Sequence, residues 1–463
     1  MPEPLYTAAE MRAAEERYDG TVEELMERAG QAVARHALED FGNAQSFTVV
    51  CGGGSNGGDG RVAARVLEQA GREVRVVDAK PEGEEKNLGD PDVVIDALFG
   101  TGFEGEPRPG AARLIEKMND LGVPVLSIDL PSGVDASTGE VAGAAVDADL
   151  TVTFHGEKVG HYVTPGAFLA GYIEVADIGL DPTETENARV TRSILDLVPK
   201  RRPEGNKYES GHVVVAGGSP GMSGAPCLSA FAAFRVDAGY VTLAGPEPVV
   251  PMFEHHVLEA VKRALAADAD GLVTEDAAAT VFELSEKAGA LAVGPGLGRS
   301  EGTKAFVNRL AAEAPLPVVV DGDGLWALEP GDWPAPRVLT PHSGELGRLI
   351  GEESSWVDAH RVEAIRRAVD RFDCVVLLKG AGTLISAPGS GVLVDGGHPT
   401  LATAGTGDVL TGIVAAFLSK GMDPRLATAA AATAHHWAAI EASYEAGMIA
   451  SDLLEALPQV LAS

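Results

Sequence analysis

Cysteine, lysine and aromatic side chains are scarce in this 463-residue chain. Its three cysteines, Cys51, Cys227 and Cys374, stand far apart with no C-x-x-C spacing, which excludes a disulfide framework and a cysteine zinc site. No stretch reaches the ~18 uninterrupted apolar residues of a membrane-spanning helix. The N-terminal MPEPLYTAAEMR lacks the apolar core of a secretory signal, so a cytoplasmic location is expected. Lys and Arg number 36, only 11 of them Lys, against 68 Asp and Glu, for a net charge of −32. So acidic a chain excludes nucleic acid and an anionic membrane surface as main partners, because clustered cations hold both. The composition, poor in lysine and rich in alanine, resembles that of cytosolic proteins from salt-loving archaea, where molar salt screens self-repulsion. A halophilic archaeal source is the expectation.

The length exceeds the ~250–300 residues at which single cores stop growing, so two domains are expected. Residues 1–200 and 201–463 are the candidates, divided by the polar segment 196–210, which carries Pro199, Pro203 and the densest basic cluster of the chain. The first 40 residues read as helical, with capping boxes at Thr7/Glu10 and Thr21/Glu24 and an apolar stripe of Leu25, Ala29, Ala32 and Val33. From Phe47 onward short apolar runs end in glycine or aspartate. FTVVC (47–51), VRVV (74–77), DVVID (92–96) and PVLSID (124–129) read as buried parallel strands, with helices at 61–70 and 110–121. A second series follows. Its strands are 212–218, 240–245, 290–296, 317–323, 337–342 and 374–380; its helices are 225–237, 301–313, 356–371, 408–418 and a final Ala-rich 424–446. Both series alternate strand and helix, the pattern of doubly wound α/β sheets, whose ligands sit at the carboxyl ends of strands.

The run CGGGSNGGDG (51–60) joins a strand to a helix, and its glycines leave backbone amides free to approach an anion. A tight turn alone would look the same. Other strand ends sharpen the reading: DALFGTGFEGEPR (96–108), DLPSG (129–133) and TFHGEK (153–158). Asp129 and Lys158 can supply paired acid and base functions. Asn56, Asp96 and Ser132 are oxygen donors at three strand ends, suited to a hard monovalent cation, although such residues also cap loops.

Together these motifs resemble the N-terminal epimerase domain of bifunctional NAD(P)H-hydrate repair enzymes, a Rossmann-like three-layer αβα fold. The family's glycine loop reads G-N-N-G-G-D-G, and here Ser55 replaces the first Asn. The resemblance implies that Ser55, Asn56, Gly57, Gly58 and Asp59, then Gly100, Thr101, Gly102, Phe103, Glu104, Gly105 and Glu106, and Asp129 contact the hydrated nucleotide. It further implies that Asn56, Asp96 and Ser132 hold a potassium ion. Asp129 and Lys158 would then move protons as the C6 carbinol centre of the R and S hydrates interconverts.

AGTGDVLTG (404–412) opens a helix near the C-terminus. Its amides through Gly407 form an anion hole, and Asp408 is placed to deprotonate an attacking hydroxyl. KGAGT (379–383) ends a strand with amides and a cation suited to phosphates, but is too short for a Walker A loop. GGSPGMSGA (217–225), GPGLG (294–298) and TPHSGE (340–345) follow other strands, and DGDGL (321–325) is a strand-end turn. His342 can hydrogen-bond a substrate or serve as a local cap. His255–His256 and His435–His436 have no matching carboxylate spacing.

This second set resembles the ribokinase-like α/β dehydratase of the same repair enzymes, in the same bifunctional order and over nearly the whole chain. It implies that Ala225, Gly298, His342 and Asp408 contact the hydrate, and that Lys379, Gly380, Ala381, Gly382, Thr383 and Gly407 hold the adenine nucleotide. The implied reaction phosphorylates the C6 hydroxyl from ADP with Mg²⁺, then releases phosphate. Expected partners are therefore the small molecules NADHX, NADPHX and ADP, with the protein a homo-oligomer. Two rivals remain at this point: a ribokinase-like kinase that stops at a stable phosphate ester, and an N-terminal domain kept as a noncatalytic binding module.

Overall fold

A computed structural model describes residues 2–80, 86–444 and 446–462. The chain divides into two compact units, one of Pro4–Ala188 with Asp358–Arg361, the other of the residues up to Glu3, Arg189–Val357 and the chain from Val362 on. The division thus falls ahead of the polar segment at 196–210. Arg192–Leu197 is a short 3-10 helix that buries Ile194, so this stretch already has a core contact to make.

The first unit holds a six-stranded sheet in the order Glu73–Asp78, Ser46–Cys51, Val93–Ala97, Val125–Ile128, Leu150–Phe154 and Tyr172–Ala176. Every pairing is parallel. Adjacent strand residues serve opposite faces. Val49 and Ile95 join Val33, Ala37, Ala63 and Leu67 of the helices Val22–Asp40 and Ser55–Gln69. Val50 and Val94 join Leu114, Ile115 and Met118 of Pro109–Asp120. Strands covered on both sides must be apolar throughout, which is why the runs show no alternation. The first strand lies between the second and the third, so the chain order reverses there and a crevice forms at their carboxyl ends.

Both capping boxes form, on Ala8–Glu16 and Val22–Asp40. The helix read from 61 instead starts at Ser55, inside the glycine run. Close packing explains why glycine is tolerated there. A Cβ on Gly57 would stand 2.0 Å from the Gly52 carbonyl oxygen, and one on Gly60 would stand 2.5 Å from Ala97 Cβ. The edge strand Tyr172–Ala176 escaped the sequence reading because it is mostly exposed and its apolar residues are interrupted by Glu174.

The second unit's sheet runs Leu393–Asp395, Thr383–Ser386, Val375–Leu378, Arg337–Leu339, Val318–Val320, Ala290–Val293, His212–Ala216, Tyr240–Pro246 and Val261–Leu265. Thr383–Ser386 is antiparallel to both neighbours. Thr406–Ser419 is buried almost throughout, and its Gly412 packs so tightly on Gly224–Arg235 that a Cβ would meet the Ser229 carbonyl oxygen at 2.1 Å. The stretch 356–371 splits into Ser354–Ala359 and Arg361–Phe372. The Ala-rich helix ends at Glu441, earlier than the expected 446, and a further helix, Ala450–Ala462, follows it; residue 445 lies outside the described residues. The three cysteines are free and buried. Among the described residues no helix is long and apolar enough to cross a membrane.

Candidate active sites

A cavity of about 710 Å³ opens where the first unit's chain order reverses. Ser55, Asn56 and Asp59 line it from the helix start, with Gly100, Thr101, Gly102, Phe103, Glu104 and Glu106 from the loop after Val93–Ala97, and Asp129. The helix cap at Gly54 has no side-chain partner, which leaves the first-turn amides available to a ligand. Gly57, Gly58 and Gly105 are not among the lining residues. Gly58 packs against Met26, where a Cβ would stand 2.3 Å from the sulfur.

Asp129 follows the strand Val125–Ile128 with φ at 69°, a left-handed conformation that non-glycine residues seldom adopt. That turn aims its carboxylate at the cavity, while Lys158 lies behind it with no exposed surface. Lys158 Nζ is 2.7 Å from Asp129 Oδ1 and donates to Thr153 Oγ1 at 2.7 Å and to the Phe154 carbonyl at 3.0 Å. The Thr101 amide donates to Asp129 Oδ2 at 3.0 Å, leaving one lone pair of that oxygen open. His161 Nδ1 accepts from the Lys158 amide at 3.0 Å, so its Nε2–H donates to the Asp129 carbonyl at 2.9 Å. Burial pushes His161 down to about 4, which keeps the ring neutral. Burial also works against an ionised Asp129, but the Lys158 ammonium outweighs it and holds the carboxyl below its ordinary value. Asp59 moves the other way: burial, then the charges of Asp129 and Glu15, push it up to about 8.

Asp96 and Ser132 sit deeper, both fully buried. Asp96 accepts from Ser132 Oγ at 2.6 Å, the Ser132 amide at 2.8 Å, Ser127 Oγ at 3.0 Å and the Leu98 amide at 3.2 Å. The Phe99 peptide ties in the other two residues: Asn56 Nδ2 donates to its carbonyl at 2.8 Å, and its amide donates to Ser132 Oγ at 2.9 Å. Burial raises Asp96 against hydrogen bonds from neutral donors alone. A buried carboxylate with only neutral donors suits a monovalent cation, which would supply the missing counter-charge.

In the second unit the strand-end motifs converge on Lys379. Its ammonium is 3.0 Å from Asp321 Oδ1 and 3.8 Å from Glu345 Oε2. A Cβ on Gly407 would lie 3.3 Å from it, so the cation sits beside the glycine turn that starts Thr406–Ser419. Thr340 and Thr411 hydroxyls donate to Asp321 at 2.8 and 2.7 Å and fix that carboxylate. Burial and the charge of Asp321 push Asp408 up to about 7, with Lys379 opposing. The Gly298 amide donates to Asp323 at 3.0 Å, while Gly296 lies against Ala225. Gly380, Ala381 and Gly382 form the turn into Thr383–Ser386. His342 caps Ser343–Ile350, its Nδ1 accepting from the Gly344 amide at 3.0 Å, with its ring still open to solvent. Among the described residues no three His, Cys, Asp or Glu side chains converge as a metal site.

His161 belongs to no motif picked out in the sequence, and reaches the site only through contacts between separate strand ends. Thr153, Asp321 and Glu345 lie in the strand-end motifs, but their pairing with Lys158 and Lys379 is not legible there. Arg12 and Glu15 also line the first cavity. Their i, i+3 spacing on a capped helix was the one clue that they share a face.

Residues 213–459 match the family described as NAD(P)H-hydrate dehydratase, and residues 22–88 and 78–160 match that described as YjeF-related protein N-terminus. The bifunctional NAD(P)H-hydrate repair enzyme Nnr of Moorella thermoacetica is 37% identical, over 99% of this chain and 96% of its own. A ribokinase-like superfamily protein of Enterococcus faecalis V583 superposes with TM-score 0.53 at 21% identity, over 61% of this chain and 98% of its own. The ADP/ATP-dependent NAD(P)H-hydrate dehydratase of Bacillus subtilis, co-crystallised with ATP/Mg²⁺, superposes with TM-score 0.52 at 28% identity, over 58% of this chain and 96% of its own. With relatives that similar along both units, the chain belongs to the family of bifunctional NAD(P)H-hydrate repair enzymes.

Proposed function

We propose that residues 1–200 interconvert the R and S forms of NADH and NADPH hydrates, and that residues 201–463 dehydrate the S form with ADP as phosphoryl donor. The observation that carries the reading is the buried Asp129–Lys158 pair at a cavity of about 710 Å³, within the size range of small-molecule sites. Ser55, Asn56, Asp59 and the 100–106 loop receive the nucleotide, and the open lone pair of Asp129 takes a proton at the C6 carbinol. Lys158 keeps that carboxylate ionised. Asn56, Asp96 and Ser132 would hold potassium, which supplies a fixed positive charge beneath the substrate.

In the second unit Asp408, poised near neutrality, takes the C6 hydroxyl proton as that oxygen attacks the terminal phosphoryl of ADP. Lys379 and the amides of 405–407 stabilise the transferring charge, and AMP leaves. The phosphate ester then departs as inorganic phosphate while C5 loses a proton, which restores the C5–C6 double bond. Residues 379–383 and Gly407 hold the nucleotide; Ala225, Gly298 and His342 border the hydrate. Asp321, Glu345 and Asp408 surround one lysine, so nucleotide phosphates need added positive charge. Mg²⁺ carried on the phosphates, with Glu345 beside it, would neutralise that excess. The acidic composition supports a cytoplasm rich in potassium chloride, and a homo-oligomer completes the reading, testable by sedimentation.

The test supplies mixed R and S NADH hydrates at high KCl with Mg²⁺ and follows the return of reduced-nicotinamide absorbance with ADP, ATP or neither. Full conversion with ADP, with equivalent phosphate released, is expected. Conversion stopping at the S fraction would remove the epimerase. A stable phosphate ester without absorbance would make the second unit an ordinary kinase.

A further inference from the structure

A carbinol next to a ring nitrogen is epimerised when the C6–O bond breaks, with the nitrogen lone pair assisting, and re-forms on the other face. That work needs one group to give a proton and another to take one. Asp129 is a taker, held ionised. Lys158 has no exposed surface and already donates to Thr153 and Phe154. The first cavity has further titratable groups on it, and one comes from the helix Ala8–Glu16, ahead of the glycine loop.

Helix Ala8–Glu16 puts Arg12 and Glu15 on the wall of the cavity that Asn56, Asp59 and Asp129 also line. Three separate anchors hold that helix in place. Thr7 and Glu10 close its capping box, with buried Met11 and Ala14 beneath. The Ala8 amide donates to Ser137 Oγ at 3.0 Å. Just before it, the Tyr6 amide donates to the Glu157 carbonyl at 2.8 Å and the Tyr6 carbonyl accepts from the Val159 amide at 3.1 Å, which brackets Lys158 on both sides. The helix is thereby tied to the loop that carries the lysine, and Glu15, exposed to solvent, stands on the cavity wall. Charged groups reach it from every side of the cluster: Asp129 and Lys158 from the strand ends, Arg12 from its own helix, and Asp59 from Ser55–Gln69. Burial and the Asp129 charge favour its protonated form, while Lys158 and Arg12 oppose.

We propose that Glu15 is a further catalytic residue of this centre, giving a proton to the C6 hydroxyl in partnership with Asp129. The inference rests on the epimerase reading of the first unit. Glu15 gives its proton to the departing hydroxyl oxygen, the nitrogen lone pair becomes the N1–C6 π bond, and water leaves. A water adding to the other face of C6 returns that π pair to nitrogen, and its surplus proton goes to Asp129. Proton exchange between the two carboxyls through solvent at the cavity mouth restores the starting charges. No oxidant, reductant or second reactant is consumed.

The test compares full-length wild type with Glu15→Gln, Glu15→Asp and Asp129→Asn, on hydrate enriched in the R form, at high KCl. Thermal unfolding midpoints check that each variant is folded. Glu15→Gln is expected to lower kcat for epimerisation about 100-fold or more with KM little changed, and to remove one limb of the pH profile. Glu15→Asp should recover part of the rate. Wild-type kcat and pH profile in Glu15→Gln, beside an inactive Asp129→Asn, would overturn the inference and leave the centre standing. A rise in KM alone would make Glu15 a binding residue and overturn it equally. A wild type that does not epimerise would sink the reading of the first unit itself.

Discussion

Replacing Lys158 by methionine isolates what the buried pair is worth. The ammonium has 0% and the Asp129 carboxylate 9% side-chain exposure, so water replaces little of the partner's charge when either is lost. Removing one member of such a pair costs about 3–5 kcal/mol, since the other is left buried and unpaired. For a unit of this size each kcal/mol moves the unfolding midpoint by roughly 2–4 °C, which predicts a drop of about 6–20 °C near neutral pH. The pH dependence follows from the direction of each shift. In the wild type the folded Asp129 titrates below its unfolded value of ~3.9, so its ionisation adds stability above that pH and the gain is lost as pH falls through the folded value. In the variant only neutral donors, the Thr101 amide and the Thr153 hydroxyl, are left to oppose burial. The folded value then rises above the unfolded one, and stability falls as pH climbs between the two. The two stability curves should therefore converge on acidification. Calorimetry at neutral pH and at about pH 5 measures the gap, and a Lys158→Met/Asp129→Asn double variant should regain most of the loss while remaining inactive as an epimerase. A midpoint unmoved at neutral pH, or a gap that widens in acid, would refute the account of the pair.

Other expectations are equally specific. Asp408→Asn should lower dehydration kcat by about 10²–10⁴ with ADP still bound, as single-turnover phosphate release would reveal. In the wild type the same rate should fall as pH drops through about 7, where Asp408 gains its proton. Asp96→Asn should abolish any difference between epimerisation in potassium and in sodium at constant ionic strength; a preserved difference would move the cation elsewhere. Gly57→Ala forces a Cβ to within 2.0 Å of a backbone oxygen, and should cost about 1–3 kcal/mol in thermal unfolding together with a raised KM for the hydrate.

The buried strands and both capped helices were legible because their signals are local: apolar runs bounded by glycine, and a cap residue with its partner three positions on. Edges were not. Val261–Leu265 exposes Arg263 and Ala264, and the hairpin of Thr383–Ser386 with Leu393–Asp395 alternates too briefly to stand out. The start of Ser55–Gln69 was misread because glycine argues against a helix until the neighbouring backbone is seen pressing on it. Of the sites, the parts that follow single strands could be read directly. Thr153 and Asp321 lie in strand-end motifs, but their partners Lys158 and Lys379 are set by tertiary packing, and Glu15, on a helix more than 100 residues from Asp129, belongs to its site through tertiary proximity alone.

The positive φ of Asp129 bears on how any mutational scan of this enzyme is interpreted. Aspartate and asparagine tolerate the left-handed region far better than alanine, and glycine tolerates it best. An alanine at 129 would combine loss of the carboxylate with a backbone pulled toward another conformation, displacing the Thr101 amide and the His161 contact in the same stroke. Asparagine keeps the turn and removes only the charge. Rates from the two substitutions will therefore disagree, and their difference reports how much the loop's shape, separately from its acid, contributes to turnover.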